Sequence, residues 1–407
     1  MFRGYLRRDG QMLDASSPRV SAPTIKPASS NLHLPFLDGL RGVAALYVVL
    51  FHIWGEMVWS SDGRGLSDLV LKSTHWMSYG SFSVAVFIVL SGYCLMLPVT
   101  RYPDSRKIDF ADFLKRRARR ILPPYYAALL ISLFLIAVVP GLNQRSNVRW
   151  DIVLPAFTPG AILSHLFLLH NLNPQWIFKI NDPLWSVATE WQIYFFFPSI
   201  LLPIWRRWGN FASIGVFFAL GFGIHFLSFR QLSLAHPWYL GLFALGAAGA
   251  DISFSTRPHT VFWRERISWN LIALVLLGVM VFFYSSGLPS LAHYGTAMEV
   301  IAGAIAACAL VYMARIVREG RHTHALVRLL ETKWAIGLGQ YSYSLYLTHF
   351  PVLGALHLAL RSQQVSSNVA FGVLLIVGLP LSLLFAYGFS LIFEKPFLRQ
   401  KAHLVSQ

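Results

Sequence analysis

Acidic residues are scarce in this chain, 18 Asp and Glu against 34 Lys and Arg, for a formal net charge of +16. Charge of either sign is scarce too, at 13% of 407 residues with 55% hydrophobic. A soluble domain carries about 25% charged residues, so a water-soluble globule is excluded. Cysteine is nearly absent. Cys94 and Cys308 both lie in apolar stretches, which excludes a disulfide framework or a cysteine-held metal and leaves core packing as their use. No metal site is expected, and no internal repeat is visible. Residues 1–35 are polar and basic and contain no apolar run of signal-peptide length, so they read as a disordered cytoplasmic arm.

Long apolar runs are what the chain has instead. Stretches of spanning length recur at 43–59, 79–99, 121–139, 185–205, 211–229, 238–250, 269–285, 296–316, 334–356 and 369–393. The expected fold is therefore an all-α integral membrane protein of about ten transmembrane helices. Basic residues orient it, because cytoplasmic segments are enriched in Lys and Arg. With ten alternating spans and both termini cytoplasmic, 27 of the 34 basic residues fall on the cytoplasmic side and 7 on the other. Topology thus accounts for much of the positive charge, and nucleic acid is not expected as a partner. The layout is an arm at 1–35, a membrane domain at 36–398 and a cytoplasmic tail at 399–407. Localisation is expected to be the cell membrane, multi-pass, with membrane lipids as partners; oligomeric state is left open.

The chain is organised around Asp38–Trp54. Arg41 and His52 are eleven residues apart, three helical turns plus about 20°, so they share a face. They are about 16 Å apart along the axis, half a bilayer core. An ionisable group at that depth is a functional-site candidate; the plainer role is a hydrogen bond between helices. Asp38 either holds Arg41 or caps the helix. Ser91 and Gly92 interrupt an apolar helix, either for close packing or to leave room for a substrate chain. A dense basic run follows, with Arg116, Arg117, Arg119 and Arg120 just before Pro123 and Pro124. Prolines suit the first turn of a helix, so the arginines are expected at a helix N-terminus, where an anion is favoured. Lipid head groups would account for a plain charge cluster, but they do not demand the compact Arg-x-x-Arg-Ile-x-Pro-x-Tyr arrangement ending at Tyr125. Residues 140–184 form the longest loop on the far side, with a short apolar piece at 162–170 that reads as re-entrant or interfacial. Ser186, Glu190 and Tyr194 recur every four residues and make one polar stripe behind Trp185. Ser342, Tyr346 and His349 share a face near the end. Glu299 is an isolated intramembrane acid with no assigned role.

These segments together resemble the acyltransferase-3 family of polytopic membrane acyltransferases, over about 36–398. The resemblance is carried by Leu-Asp-Gly-Leu-Arg-Gly with Arg41-x10-His52, Phe-Ile-Val-Leu-Ser-Gly-Tyr at 87–93, Arg-x-x-Arg-Ile-x-Pro-x-Tyr at 117–125, and Leu-Trp-Ser-Val-x-x-Glu-x-x-x-Tyr at 184–194. Tyr-Ser-x-Tyr-Leu-x-His-x-Pro at 343–351 and Glu-Lys-Pro near the end complete it. Ala85 stands where family members often carry an acid, so that acid's role is absent or moved. The chain is similar to short members without a C-terminal esterase-like domain.

The resemblance implies transfer of an acyl group, usually acetyl, from acyl-CoA on the cytoplasmic side to a hydroxyl of a carbohydrate or glycolipid. No permanently bound cofactor is implied; acyl-CoA is a substrate. His52 matches the family's catalytic histidine, and Arg41, Arg117 and Arg120 match arginines that meet the donor, with Arg116 and Tyr125 beside them. Asp38, Ser91, Gly92, Trp185, Ser186, Glu190, Tyr194 and His349 are expected as acceptor or supporting residues. A neutral His52 is suited to take the hydroxyl proton. The alternative is a transporter or flippase for a glycan or lipid precursor, for which paired broken helices are the usual sign.

Overall fold

The structure is a computed structural model that describes residues 34–60, 65–101, 108–285, 295–321 and 324–399. The basic arm expected at 1–35 falls almost wholly outside the described residues, as does the tail from 400 onward.

Among the described residues there is no strand. The helices are α1 (Pro35–Val58), α2 (Asp68–Thr74), α3 (Phe82–Arg101), α4 (Phe110–Val138), α5 (Pro159–Leu166), α6 (Leu184–Phe196), α7 (Leu202–Leu227), α8 (Tyr239–Phe254) and α9 (Pro258–Arg266). They continue with α10 (Trp269–Ser285), α11 (Gly295–Arg318), α12 (Ala325–Leu330), α13 (Lys333–Gly339), α14 (Ser342–Ser362), α15 (Ser367–Val373), α16 (Leu379–Phe393) and α17 (Lys395–Arg399).

All ten expected apolar stretches are helical over most of their length, but fewer qualify as spans. Among the described residues six do by length and composition, or seven if α9 and α10, bent by 62°, are taken as one. The differences have local causes. Two expected spans, 185–205 and 211–229, form one helical stretch of 44 residues, Leu184–Leu227, which turns at Gly209, where φ is +79°. α8 has only 16 residues, about 24 Å against a core of about 30 Å. α14 carries Ser342, Ser344, Thr348, His349 and His357 among its buried residues, which lowers its apolar character. The lipid-facing reading is clearest at α10. It is apolar along its length, yet none of its residues is buried, and Leu274, Val275, Val281 and Phe282 are exposed. Such a helix is stable in lipid and not in water. The chain is a multi-pass membrane protein.

α1 is the central element. Ala45, Val49 and Ile53 pack it into a core with Leu345 and Leu353 of α14 and Leu374. Its start crosses α12 and α13 backbone to backbone: a Cβ on Gly39 would sit 1.8 Å from the Leu330 carbonyl oxygen. α3 meets α8 in the same manner. A Cβ on Gly92 would lie 2.0 Å from the Phe243 carbonyl oxygen, and one on Gly246 would lie 1.9 Å from that of Val89. Small residues let membrane helices approach this closely.

The 140–184 loop is folded onto the bundle. Trp150 is fully buried, donates to the Leu142 carbonyl at 2.9 Å and stacks on Phe350 of α14 at 5.6 Å. Asn181 donates to the Leu347 carbonyl at 2.9 Å and to Ser132 at 3.1 Å. The piece at 162–170 contains α5, capped by Thr158 accepting from the Ala161 amide at 3.3 Å. At eight residues it is about 12 Å long and does not span.

Candidate functional site

A cavity of about 120 Å³ opens between α1, α3, α4, α6 and α14. Arg41 of α1 and Arg117 and Arg120 of α4 line it, two segments that only the fold brings together. Arg41 is held in place twice. Its Nη1 donates to Asp38 Oδ1 at 3.0 Å, and its Nη2 lies 3.0 Å from Cys94 Sγ. Of the two roles expected for Asp38, holding Arg41 is the one seen; α1 begins at Pro35, so Asp38 is inside the helix and not its cap. Cys94, expected only to pack, lines the cavity.

The arginine run departs from the expected geometry. α4 runs unbroken from Phe110 through Pro123 and Pro124, and its N-cap is Asp109, whose carboxylate accepts from the Asp112 amide at 2.8 Å. The arginines therefore lie within the helix rather than ahead of its first turn, and no helix N-terminus meets an anion there. Two interior prolines instead strip the Arg119 and Arg120 carbonyls of their helical donors. Anion binding at this mouth rests on guanidinium groups, which bind phosphate through a planar fork.

Glu190, Ser186 and Tyr194 line this same cavity rather than a separate mouth. Tyr194 donates to Glu190 Oε1 at 2.5 Å, which makes Ser91 the donor in its 3.0 Å contact with Tyr194. Glu190 lies within electrostatic reach of both Arg41 and Arg117. The Ser91-Gly92 pair serves both expected purposes: Gly92 admits α8 on one side and Ser91 faces the cavity on the other. Along α3 the lining runs from Leu95 to Val84, a depth of about 16 Å.

The cavity ends at Tyr346. Its hydroxyl is fixed 2.6 Å from Ser186 Oγ, and its ring lies 6.2 Å from that of His349. His349 in turn lies 5.0 Å from His52, ring to ring. His52 is thus two rings beyond the cavity and not among its lining residues. It is 7% exposed, with Phe51 and Phe350 edge-on at 5.1 Å. His349 Nδ1 lies 2.9 Å from the Leu345 carbonyl. A carbonyl only accepts, so that nitrogen carries the proton and Nε2 keeps a lone pair. Both His52 Nδ1 and His349 Nε2 are buried without a hydrogen-bond partner.

Beyond His52 the 140–184 loop adds charge. Arg149 donates to Asp182 at 2.6 Å, lies over the Trp59 ring at 4.8 Å, and is within electrostatic reach of His52. Burial pushes the Asp182 carboxyl above its ordinary value, and Arg149 pulls against it. Glu56, one turn past His52 on α1 and fully buried, accepts from or donates to His357 Nδ1 at 2.8 Å.

Three expected site residues lie elsewhere. Tyr125 is fully buried but donates to the His165 carbonyl at 2.9 Å, tying α4 to α5. Arg116 is exposed and does not line the cavity. Trp185 stacks on His236 at 4.4 Å. Glu299 gains a setting: it accepts from Trp238 at 2.7 Å and pairs with His236 at 2.9 Å. Among the described residues no group of His, Cys, Asp and Glu is arranged to hold a metal. Spacing could have found Glu56, a carboxylate four residues from His52 in an apolar run. Nothing local marked Arg149 or Asp182, whose setting is made by the loop's fold.

A family model described as an acyltransferase domain, of the acyltransferase-3 type, matches residues 34–387. The chain is 21% identical over 352 residues to the peptidoglycan O-acetyltransferase OatA of Listeria monocytogenes, covering 80% of this chain and 50% of that one. It is 25% identical over 342 residues to the O-acetyltransferase OatA of Staphylococcus aureus, covering 79% and 51%. A putative O-acetyltransferase of Staphylococcus aureus strain COL is 24% identical over 388 residues, covering 90% and 58%. The chain thus spans about half the length of the curated relatives it matches. No solved structure matches. The chain belongs to the acyltransferase-3 family.

Proposed function

We propose that this chain is a membrane O-acyltransferase that carries an acyl group, acetyl by default, from acyl-CoA at the arginine mouth to a hydroxyl of a carbohydrate or glycoconjugate. The observation that carries the reading is the line of groups running inward: Arg41, Arg117 and Arg120 around one cavity, then Tyr346, His349 and His52 in ring contact. The phosphates of coenzyme A dock on the guanidinium groups, each such charge-assisted bond contributing about 1.5–3 kcal/mol. The pantetheine arm lies along the cavity and brings the thioester to its closed end. Rotation of Tyr346 away from Ser186 then admits it to His52.

His349 sets the tautomer of His52. The two rings lie 5.0 Å apart with His52 Nδ1 and His349 Nε2 both unpartnered; a small rotation lets His349 Nε2 accept a hydrogen bond from His52 Nδ1–H, which leaves the lone pair of His52 on Nε2. That nitrogen takes the acceptor's hydroxyl proton as the oxygen attacks the thioester carbon. The new C–O bond forms, the C–S bond breaks, and the proton passes to the departing thiolate. The names of the relatives, peptidoglycan O-acetyltransferase among them, support a glycan acceptor of the cell envelope. The basic-residue distribution supports ten spans with the arginine mouth and both termini cytoplasmic, and the bacterial relatives support a bacterial cell membrane.

The test uses the full chain in nanodiscs with labelled acetyl-CoA and a membrane glycan extract. Wild type is expected to form a labelled ester. His52→Ala is expected to lose transfer by at least about 10²–10⁴-fold while still binding acetyl-CoA. Full activity in that variant would remove its catalytic role. Glycan flux across the membrane without any acyl-CoA would instead favour a transporter.

A further inference from the structure

α10 packs on α11 and leaves a recess on its other side. Leu277, Met280, Val281 and Tyr284 follow the i, i+3, i+4, i+7 spacing of one helix face. That face does not close on the bundle. A cavity of about 550 Å³, against about 120 Å³ for the arginine-lined one, separates it from Tyr47 of α1, Val86 of α3 and Ala302 and Ile305 of α11. Among the described residues that line it none is charged, so it offers nothing to a phosphate or any other ion. The Tyr47 hydroxyl donates to the Trp76 carbonyl at 2.6 Å. The other lining hydroxyls, of Tyr79, Tyr284 and Ser285, belong to one end, where the Tyr284 ring meets Tyr79 at 5.0 Å and Phe82 at 6.2 Å. That end is opposite the basic one: Arg264 and Arg266 precede α10, and Arg315 and Arg318 close α11. From Ser285 inward to Leu277 is about 12 Å, which stays within one leaflet of a core about 30 Å thick.

An apolar void forfeits the dispersion contacts of every atom that lines it. Water does not restore them, because an apolar wall gives it no partners. Hydrocarbon does. We infer that this recess is the seat of one acyl chain of a phospholipid from the far leaflet. The chain lies with its methyl end toward Leu277 and Ile305 and its glycerol ester at Tyr79, Tyr284 and Ser285. Two observations single out this occupant. The recess is continuous with the lipid-facing surface of α10, none of whose residues is buried: Leu277, Val281 and Tyr284 line it while 44%, 57% and 45% exposed. Its tyrosines gather at one end, as aromatic side chains do at the level of the head groups. The seat backs α1 from outside. Tyr47 is five residues before His52, about 140° around the helix, so the chain lies behind α1 and not in the donor's path. The choice of leaflet rests on the orientation proposed above; the seat itself does not rest on acyl transfer.

The test uses the full chain in nanodiscs of phosphatidylcholine and phosphatidylglycerol. A trace of phosphatidylcholine carries a diazirine in one acyl chain, and crosslinked residues are read by peptide mass. With the diazirine near the methyl end, Leu277, Met280 and Ile305 are expected to be marked at least fivefold more than Val275, Val279 and Phe282. Those three point the other way on α10 and are 57%, 37% and 62% exposed. With the diazirine near the glycerol, the marks are expected to move to Tyr79, Tyr284 and Ser285. Equal marking of the two faces of α10 means ordinary bilayer contact and overturns the seat; the reverse order of depth overturns the choice of leaflet. Ala302→Phe and, from the opposite wall, Met280→Trp fill the recess. Each is expected to cut marking of Leu277 at least fivefold and to leave Val275 and Phe282 marked as in wild type, which also shows that α10 is in place. Unchanged marking of Leu277 in both variants overturns the proposal. Polyprenyl phosphate at a few mole per cent, too little to dilute the label, is expected to change nothing; loss of marking gives the seat to an isoprenoid carrier and overturns the phospholipid. Acetyl transfer is read in the same nanodiscs. A marked recess in a protein that transfers no acetyl group supports the seat and counts against the proposed function alone.

Discussion

The two ends of the line through His52 are built differently. At the arginine end each functional side chain projects from a long helix, and its neighbours on the same helix are in phase with it. Arg117, Arg120 and Ile121 line the cavity from α4, as Ser186, Glu190 and Tyr194 do from α6. At the far end the parts come from a helix and a folded loop. Glu56 sits on α1, while Arg149 and Asp182 sit in the loop that Trp150 anchors to Phe350. The first end is bonded internally through Asp38, Cys94, Ser91 and Tyr194, with Arg117 Nε buried and left without a partner. The second retains orphaned polar atoms. A flexible, charged donor can be gripped at a partly open mouth by arginines that water also reaches.

The sharpest way to break this comparison is at the histidine pair. The amide of Gln reaches where His349 Nε2 is, and that of Asn where Nδ1 is. If His349 sets the tautomer of His52, His349→Gln keeps an acceptor for the His52 Nδ1 proton and His349→Asn does not. His349→Asn is expected to lose about 10²–10³-fold in kcat with both KM values little changed. His349→Gln is expected to stay within about tenfold of wild type in steady-state assays; the reverse order would show a packing role only. At the arginine end the effect moves to binding. Arg117→Gln is expected to raise the acetyl-CoA KM about 10- to 100-fold with kcat nearly unchanged, as loss of one charge-assisted bond requires. Arg117→Lys is expected to recover only part, because an ammonium lacks the planar fork. Equal loss of kcat and kcat/KM would place Arg117 at the reaction instead. The smallest effect belongs between the ends. Tyr346→Phe removes the 2.6 Å hydroxyl contact with Ser186 and frees the ring that closes the cavity. Stopped-flow binding is expected to show acetyl-CoA entering a few-fold faster, with affinity changed by less; slower entry would show that the hydroxyl guides the donor.

Much of the arginine end was legible in the sequence because helical spacing is a local rule. Residues four apart meet on one face wherever a helix forms, so the Ser186–Glu190–Tyr194 stripe and the phase of Arg41 with His52 could be read off directly. The same rule misplaced the start of α4. Two prolines favour a first turn, yet in α4 they sit in the interior, and the helix continues through them from Phe110 to Val138. Spacing also grouped Tyr125 with the arginines, although its hydroxyl bonds forty positions further along the chain, at the His165 carbonyl. Span counting was limited in a similar way. Hydropathy finds apolar length, but Gly209 joins two expected spans into one turned stretch, and polar residues facing a protein interior hide α14 from a composition test.

The sequence by itself determined that this chain is helical and belongs in a membrane, and it determined which residues share each helix face, since these follow from composition and a 3.6-residue period. Its motifs were enough to suggest the family. Tertiary structure alone decided that three arginines from α1 and α4 share one cavity with Glu190, and that Tyr346 closes it short of His52. It also decided that a loop far along the chain brings Arg149, bonded to Asp182, within electrostatic reach of that histidine. The reason is physical: a contact between segments depends on how whole helices cross and where a loop is anchored, and neither is encoded in the spacing of residues along any one of them.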